Sequence, residues 1–180
     1  MFLPIGDTPN PGGGFRPWVT WLLVLVNVTV WLLWTLPASL APGDPSDPMF
    51  AEVARRLLHG LPPGLDPRAA LASITSWDVA VQRWGFRPGA PSAVTLLSAM
   101  FMHANFAHLA GNMLFLWIYG DNVEHRIGRL PYLAAYLGTG AVATLGFALV
   151  APDADTPLVG ASGAISGVLG MYFLMFPGTS

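Results

Sequence analysis

The stretch WVTWLLVLVNVTVWLLWTL, residues 18–36, decides the fold class of this chain. It contains no charged side chain, and at about 1.5 Å rise per residue a helix of this length spans about 29 Å, close to the hydrocarbon thickness of a bilayer. Trp18 and Trp21 lie near one end and Trp31 and Trp34 near the other, where membrane interfaces favour aromatic side chains. The stretch therefore predicts a transmembrane helix.

The composition of the whole chain agrees with a membrane protein. Of its 180 residues 53% are hydrophobic and 10% are charged, whereas soluble domains average about 25% charged residues. A soluble bundle of four buried helices is the alternative, but the chain has few charged residues to cover such a bundle. The net charge of −2 gives no basic surface for nucleic acid. Cysteine is absent, so neither a disulfide nor a thiolate metal site can form.

Three further apolar stretches are long enough to cross a membrane: Val94–Tyr119, Tyr132–Val150 and Leu158–Phe176. The fold class predicted is all-α, a polytopic bundle of transmembrane helices with four spans present. Pro and Gly dominate residues 1–15, which we interpret as a flexible tail before a membrane domain covering residues 16–180.

Residues 37–92 form a long loop between the first two spans. Within it, Pro48–Gly60 has apolar side chains at helical spacing, with Asp47 as N-cap and Gly60 as C-cap. Ser76–Trp84 is a second candidate helix. We expect an amphipathic helix in this loop to lie in the membrane interface. The arginines are divided between both sides of the bundle and do not fix its orientation.

Polar side chains interrupt the second predicted span at four positions: His103, Asn105, His108 and Asn112. Hydrogen-bonding groups inside a membrane are costly, so each is a functional candidate. His108 and Asn112 are four residues apart and share one helix face. Two alternatives stay open: these groups could bond across helices to hold the bundle together, or bind zinc, although the spacing lacks the usual pair of imidazoles and a third ligand.

The fourth span opens with GASG, residues 160–163. Gly160 and Gly163 flank Ser162, so the serine backbone is approachable, and free N–H groups at a helix N-terminus can stabilise an oxyanion. Gly167 and Gly170 continue a stripe of small residues, which allows another helix to approach closely. A packing face is the alternative interpretation of this pattern. Together with His108 and Asn112, however, the motif supplies both a nucleophile and oxyanion donors.

The sequence resembles the rhomboid family of intramembrane serine proteases. The stretch MFMHANFAHLAGNMLFLWIYGDNVEHRIG, residues 100–128, is similar to the family's second-helix signature, and LVGASGAISGVLGMY, residues 158–172, to its serine helix. The resemblance covers about residues 84–176. It implies Ser162 as nucleophile, and His108 and Asn112 as an oxyanion hole with the Ser162 N–H. His103, Gly160 and Gly163 would support the site.

The resemblance also assigns Glu124 and Arg126 to a structural role in the loop after the second span. It implies a fold of six core helices, an extracytoplasmic active site on the side of the long loop, transmembrane proteins as substrates and no cofactor or metal. The expected location is the plasma (inner) membrane of a prokaryote, with the lipid bilayer as surroundings.

The family's general base is a histidine on the sixth helix, and four spans are present here. We therefore expect the 180 residues alone to be inactive, either as the N-terminal portion of a protease or as a natural short product. The family's serine helix packs against its histidine helix, so the glycine stripe is expected to face lipid here. Two other functions remain: a non-catalytic protein that binds transmembrane segments, and a channel or transporter lined by His103, His108 and Asn112.

Overall fold

The structure is a computed structural model that describes residues 14–152, 154 and 156–177. Most of the predicted N-terminal tail lies outside these residues. The described residues are helical, without a strand; their only β-pairings are two isolated bridges, Pro42–Thr75 and Phe86–Leu158. The helices are α1 (Trp18–Leu40), α2 (Pro48–His59), α3 (Pro67–Ala72), α4 (Ser76–Trp84), α5 (Ala93–Phe101), α6 (Phe106–Ile127), α7 (Arg129–Val150) and α8 (Ser162–Met175).

Helix α1 passes through Pro37 and ends at Leu40, so the predicted stop at Leu36 was wrong. The turn before the proline, Trp31–Thr35, is a π-helix, and the Leu36 N–H donates to the Trp31 carbonyl. Proline lacks an N–H, and its ring crowds the carbonyl four residues earlier. A wider π-turn can relieve that crowding, which allows the helix to continue.

The long loop contains the two predicted helices, α2 and α4, and a short helix, α3, that was not predicted. Asp47 precedes α2 and its side chain accepts the Met49 N–H, while Gly60 follows the helix. Thr75 and Asp78 form a capping box at the start of α4, where each side chain accepts an N–H from the other residue's backbone. Trp77 of α4 is buried with Ala38 and Met102, which fixes this loop to one end of the bundle. The location of α2 in a membrane interface stays a prediction.

The second predicted span, Val94–Tyr119, is not one helix. It consists of α5 and α6, which meet at an angle of 89° across residues 102–105. Asn105 adopts an extended backbone, and its side chain accepts the His108 N–H at 2.9 Å. Asparagine is a favoured N-cap, so this residue begins a new helix where hydropathy alone indicates a continuous one.

Helix α6 also continues beyond its predicted end at Tyr119, to Ile127. The charged segment after Gly120, which we interpreted as a loop, forms the last turns of this helix. Gly128, with φ of +86°, ends it, and α7 starts at the next residue. Buried Asn122 and Glu124 explain the difference, because their polar side chains face the protein rather than solvent.

The fourth predicted span begins late. Leu158 pairs with Phe86, Gly160 has φ of +124°, and α8 covers only Ser162–Met175. Its glycine stripe was expected to face lipid, and this was wrong for two residues. A side chain at Gly163 would meet Ala143 of α7, and one at Gly167 would meet Thr139 of α7, whereas Gly170 faces open space. The stripe therefore allows α8 to pack closely on α7.

Apolar side chains cover the outside of the bundle. Helices α1 and α7 are long and apolar enough to cross a membrane, and the bent pair α5–α6 is a third candidate if it counts as one span. Helix α8 is apolar but shorter, at 14 residues. Leu33, Leu149 and Leu174 are 76%, 85% and 83% exposed, which requires an apolar surrounding over several helices. These helices are typical of an integral membrane protein.

Candidate functional site

Ser162 is the first residue of α8, and the segment that leads into it has an unusual backbone conformation. Gly160 has φ of +124°, which L-amino acids with a side chain rarely adopt. Its N–H donates to the Ala99 carbonyl at the end of α5, at 2.8 Å. The Ala161 carbonyl accepts the first bond of the helix, from Ile165. The N–H groups of the first turn, including that of Ser162, therefore have no acceptor within the helix and remain available.

The imidazole of His108 lies directly against Gly160. A Cβ built on Gly160 would be 2.6 Å from His108 Cε1 and 2.8 Å from Nε2, closer than any real contact. Glycine is thus required at this position for two separate reasons, the backbone conformation and the space. This contact brings the first turn of α6 next to the segment that leads into the serine.

Three of the four polar residues in the second predicted span form one cluster. His108 and Asn112 lie one turn apart on α6, and His103 lies in the bend before that helix, where it is completely buried. The Asn112 side-chain nitrogen is 2.9 Å from His103 Nε2. The two imidazole rings meet edge to face with centroids 5.1 Å apart. The bend at Asn105 therefore turns His103 back onto the helix face that carries His108 and Asn112.

Ser162 opens into a cavity of about 190 Å³ between α8, α7 and the end of α5. The lining is mostly small or apolar, which leaves room beside the serine for part of a ligand. The lining residues are Met100, Gly140, Ala143, Thr144, Phe147, Leu158, Gly160, Ser162, Gly163 and Ala164. Among the described residues no hydrogen bond involves the Ser162 hydroxyl, while its carbonyl accepts from the Ser166 hydroxyl at 2.7 Å.

Glu124 has a structural role at the opposite end of α6, although not within a loop. Its completely buried carboxylate accepts the Val19 N–H at 3.1 Å, and the Thr20 N–H and hydroxyl at 2.8 Å each. It thereby caps the N-terminus of α1, where a negative charge is favoured. The nearby cation is Arg129, whose Nε is 4.0 Å away, and Arg126 is exposed in the last turn of α6.

Sequence reasoning missed the roles of two residues in these sites, Asn105 and Arg129. Asn105 determines where α6 begins, and the signal for it was a good N-cap residue two positions after His103. Arg129 is near Glu124 in space, five residues later in the chain, and its Nη2 also donates to the Arg16 carbonyl. No sequence pattern distinguishes Arg129 from Arg126, because the continuation of α6 past Gly120 determines which arginine turns towards Glu124.

The family model and the relatives that match this chain all carry the name rhomboid. Residues 90–180 match the family model described as "Rhomboid domain". The chain is 40% identical over 75 residues to Rhomboid protease GluP of Bacillus subtilis (strain 168). That alignment covers 42% of this chain and 14% of the GluP chain. It is 39% identical over 85 residues to Rhomboid-like protein 11, chloroplastic, of Arabidopsis thaliana, covering 47% of this chain and 30% of that protein.

A longer alignment relates the chain to RHOMBOID-like protein 5 of Arabidopsis thaliana, with 27% identity over 180 residues, 92% of this chain and 55% of that protein. The chain thus spans about half or less of the length of these relatives. No solved structure matches.

Proposed function

Since this chain belongs to the rhomboid family, we propose that the protein is a serine endopeptidase that cleaves transmembrane proteins within or near the membrane. The observation that carries the proposal is Gly160. It brings the imidazole of His108 against the segment that leads into Ser162, two residues before the serine. Gly160 also lines the cavity beside Ser162, so the start of α6 comes next to the segment that carries the proposed nucleophile.

In this proposal the Ser162 hydroxyl oxygen attacks the carbonyl carbon of a peptide bond. The C–N bond breaks, the amine leaves with a proton, and water then hydrolyses the acyl-enzyme. The oxyanion would be bound by the N–H of Ser162 together with His108 and Asn112. His103 would hold the Asn112 amide in place, since a side-chain NH₂ can give one hydrogen to His103 Nε2 and keep the second for the oxyanion.

The chain alone is expected to be inactive, because none of its four histidines is a suitable base for Ser162. His103 and His108 have the roles just described, and His59 lies at the end of α2. His125 is seventeen residues after His108 on α6, about 25 Å along the helix axis, and stacks on Phe15. In the described residues none of them hydrogen-bonds to the Ser162 hydroxyl. We propose that the base is a histidine outside residues 1–180, as the family resemblance implies.

The proposal includes a membrane arrangement. Helix α8 would be the fourth span, and the long loop would lie on the extracytoplasmic side of a prokaryotic plasma membrane, at the same end as Ser162. Support comes from Trp77 of the loop, which is buried against Met102, the residue before His103. Substrates and water would then reach the serine from that side.

Cleavage in lipid vesicles tests this function. We expect the longest natural reading frame that contains this chain to cleave a reconstituted single-span membrane protein, and Ser162→Ala to abolish cleavage. Ser166→Ala is the matched control on the same helix and should cleave normally. The chain of 180 residues should release no product.

A non-catalytic protein that binds transmembrane segments is the second candidate, favoured by the lack of a histidine bonded to Ser162 in the described residues. If the longest natural reading frame that contains this chain binds the substrate without cleaving it, that result would support this candidate and contradict the protease.

A further inference from the structure

We propose that Gly85, in the long loop between α4 and α5, is a positioning residue for Ser162. Because it has no side chain, the loop can approach the segment that leads into the nucleophile and hold it in register. This inference rests on the proposed protease function and adds a residue that is 77 positions away from the serine in sequence.

The backbone conformation of Gly85 does not explain why it is glycine. Its φ and ψ are −71° and 152°, extended values that any residue adopts. Space explains it instead. A Cβ at this position would lie 2.8 Å from the Cβ of Pro157 and 2.6 Å from the Val81 carbonyl oxygen, with Val159 Cγ1 at 3.2 Å. Pro157 is buried and its ring is rigid, so it cannot rotate away from an added methyl group.

The next residue holds the two segments together. The Phe86 N–H donates to the Leu158 carbonyl at 3.0 Å, and the Leu158 N–H donates to the Phe86 carbonyl at 2.8 Å. Phe86 is only 1% exposed, so its side chain also fixes this pairing. The long loop and the segment before α8 are thus joined by two hydrogen bonds directly beside the Gly85–Pro157 contact.

Few residues separate this contact from Ser162. Leu158 is four residues before Ser162, and the stretch between them is held by the Gly160 N–H on the Ala99 carbonyl and by His108 against Gly160. Ala161 is completely buried. A shift of Pro157 and Leu158 therefore has one of two consequences. Either Gly160 moves relative to His108, or Ser162 itself moves.

The size of the expected shift follows from ordinary contact distances. Non-bonded carbon atoms stay about 3.5–4.0 Å apart, so a methyl group on Gly85 would displace Pro157 by about 0.7 Å or more. A misplacement of about 1 Å at a reacting group can cost about 100-fold in rate. We expect Gly85→Ala to lower the rate at which Ser162 reacts by about 10- to 100-fold.

The test compares Gly85→Ala with Gly89→Ala in the longest natural reading frame containing this chain. Gly89 lies in the same loop, and a Cβ there meets nothing within 4 Å. A fluorophosphonate probe reports the labelling rate of Ser162 and, separately, the fraction of protein labelled. A purely structural role of Gly85 lowers the thermal midpoint and the labelled fraction, whereas a positioning role lowers the rate in the folded protein. Removing the opposing Cβ with Pro157→Gly should return only part of the rate lost in Gly85→Ala, because the contact of the added Cβ with the Val81 carbonyl oxygen remains.

If Gly85→Ala does not fold, Leu158→Pro provides the second test, because it removes the N–H that donates to Phe86 without adding volume at Gly85. Leu158 also lines the Ser162 cavity, so a loss of rate beyond that of Leu158→Ala is expected. If the wild-type protein is labelled and Gly85→Ala reacts at the same rate as Gly89→Ala, the positioning role of Gly85 is overturned and the proposed protease function is not. A folded wild-type protein without any label at Ser162 would instead overturn the proposed protease and, with it, this inference.

Discussion

Gly160 shows how a single residue joins two parts of the chain that are far apart in sequence. Its positive φ turns the backbone into α8, and its missing side chain leaves the space that the His108 imidazole occupies. The sequence predicted Gly160 as a supporting residue because it lies two positions before Ser162. The contact with His108 could not be predicted, since it depends on how α6 and α8 meet.

We predict that Gly160→Ala abolishes the reaction of Ser162, because the methyl group would displace His108. Gly64 is the matched control: it also has a positive φ, +93°, but a side chain there meets nothing within 4 Å. Alanine at either position should cost about 1–3 kcal/mol of stability from backbone strain. Rates of probe labelling and thermal unfolding of both variants measure the difference. Equal labelling of Gly160→Ala and Gly64→Ala would show that the contact with His108 does not matter.

At the scale of helices, local signals were predicted well and long-range ones were not. Asp47 fixes the start of α2 through a neighbouring N–H group, as predicted. Thr75 with Asp78 fixes the start of α4 in the same local way, although this capping box was not predicted. The bend at Asn105 was missed because the surrounding residues are apolar enough for one continuous span. The capping of α1 by Glu124 was missed because it joins residues more than 100 positions apart.

We predict that Glu124→Ala destabilises the bundle by about 2–3 kcal/mol, because donors at the start of α1 lose a charged acceptor in a buried site. Glu124→Gln should cost less, since the amide oxygen still accepts one or two of these bonds. Unfolding in mixed micelles measures the free energies. Glu52→Ala is the control: its carboxylate pairs with Arg55 and Arg56 on the loop surface, so its effect should stay below about 1 kcal/mol. Equal stability of Glu124→Ala and Glu52→Ala would contradict the capping role.

For the whole molecule, the residues of the candidate site come from distant parts of the chain. Ser162 comes from α8, His108 and Asn112 from α6, and His103 from the bend between α5 and α6. The residue types and their order were predictable, since polar groups are rare in apolar helices. The pairing of Phe86 with Leu158 was not, because nothing in either segment indicates the other.

The central claim is that Ser162 is a nucleophile, and peptide mapping of a fluorophosphonate adduct tests it most directly. In the longest natural reading frame containing this chain, reconstituted in lipid, we expect one adduct per molecule, located on Ser162 and absent from Ser162→Ala. Ser166→Ala should keep the adduct, because the Ser166 hydroxyl only donates to the Ser162 carbonyl within α8. A folded protein that forms no adduct, or one whose adduct persists in Ser162→Ala, would contradict the account.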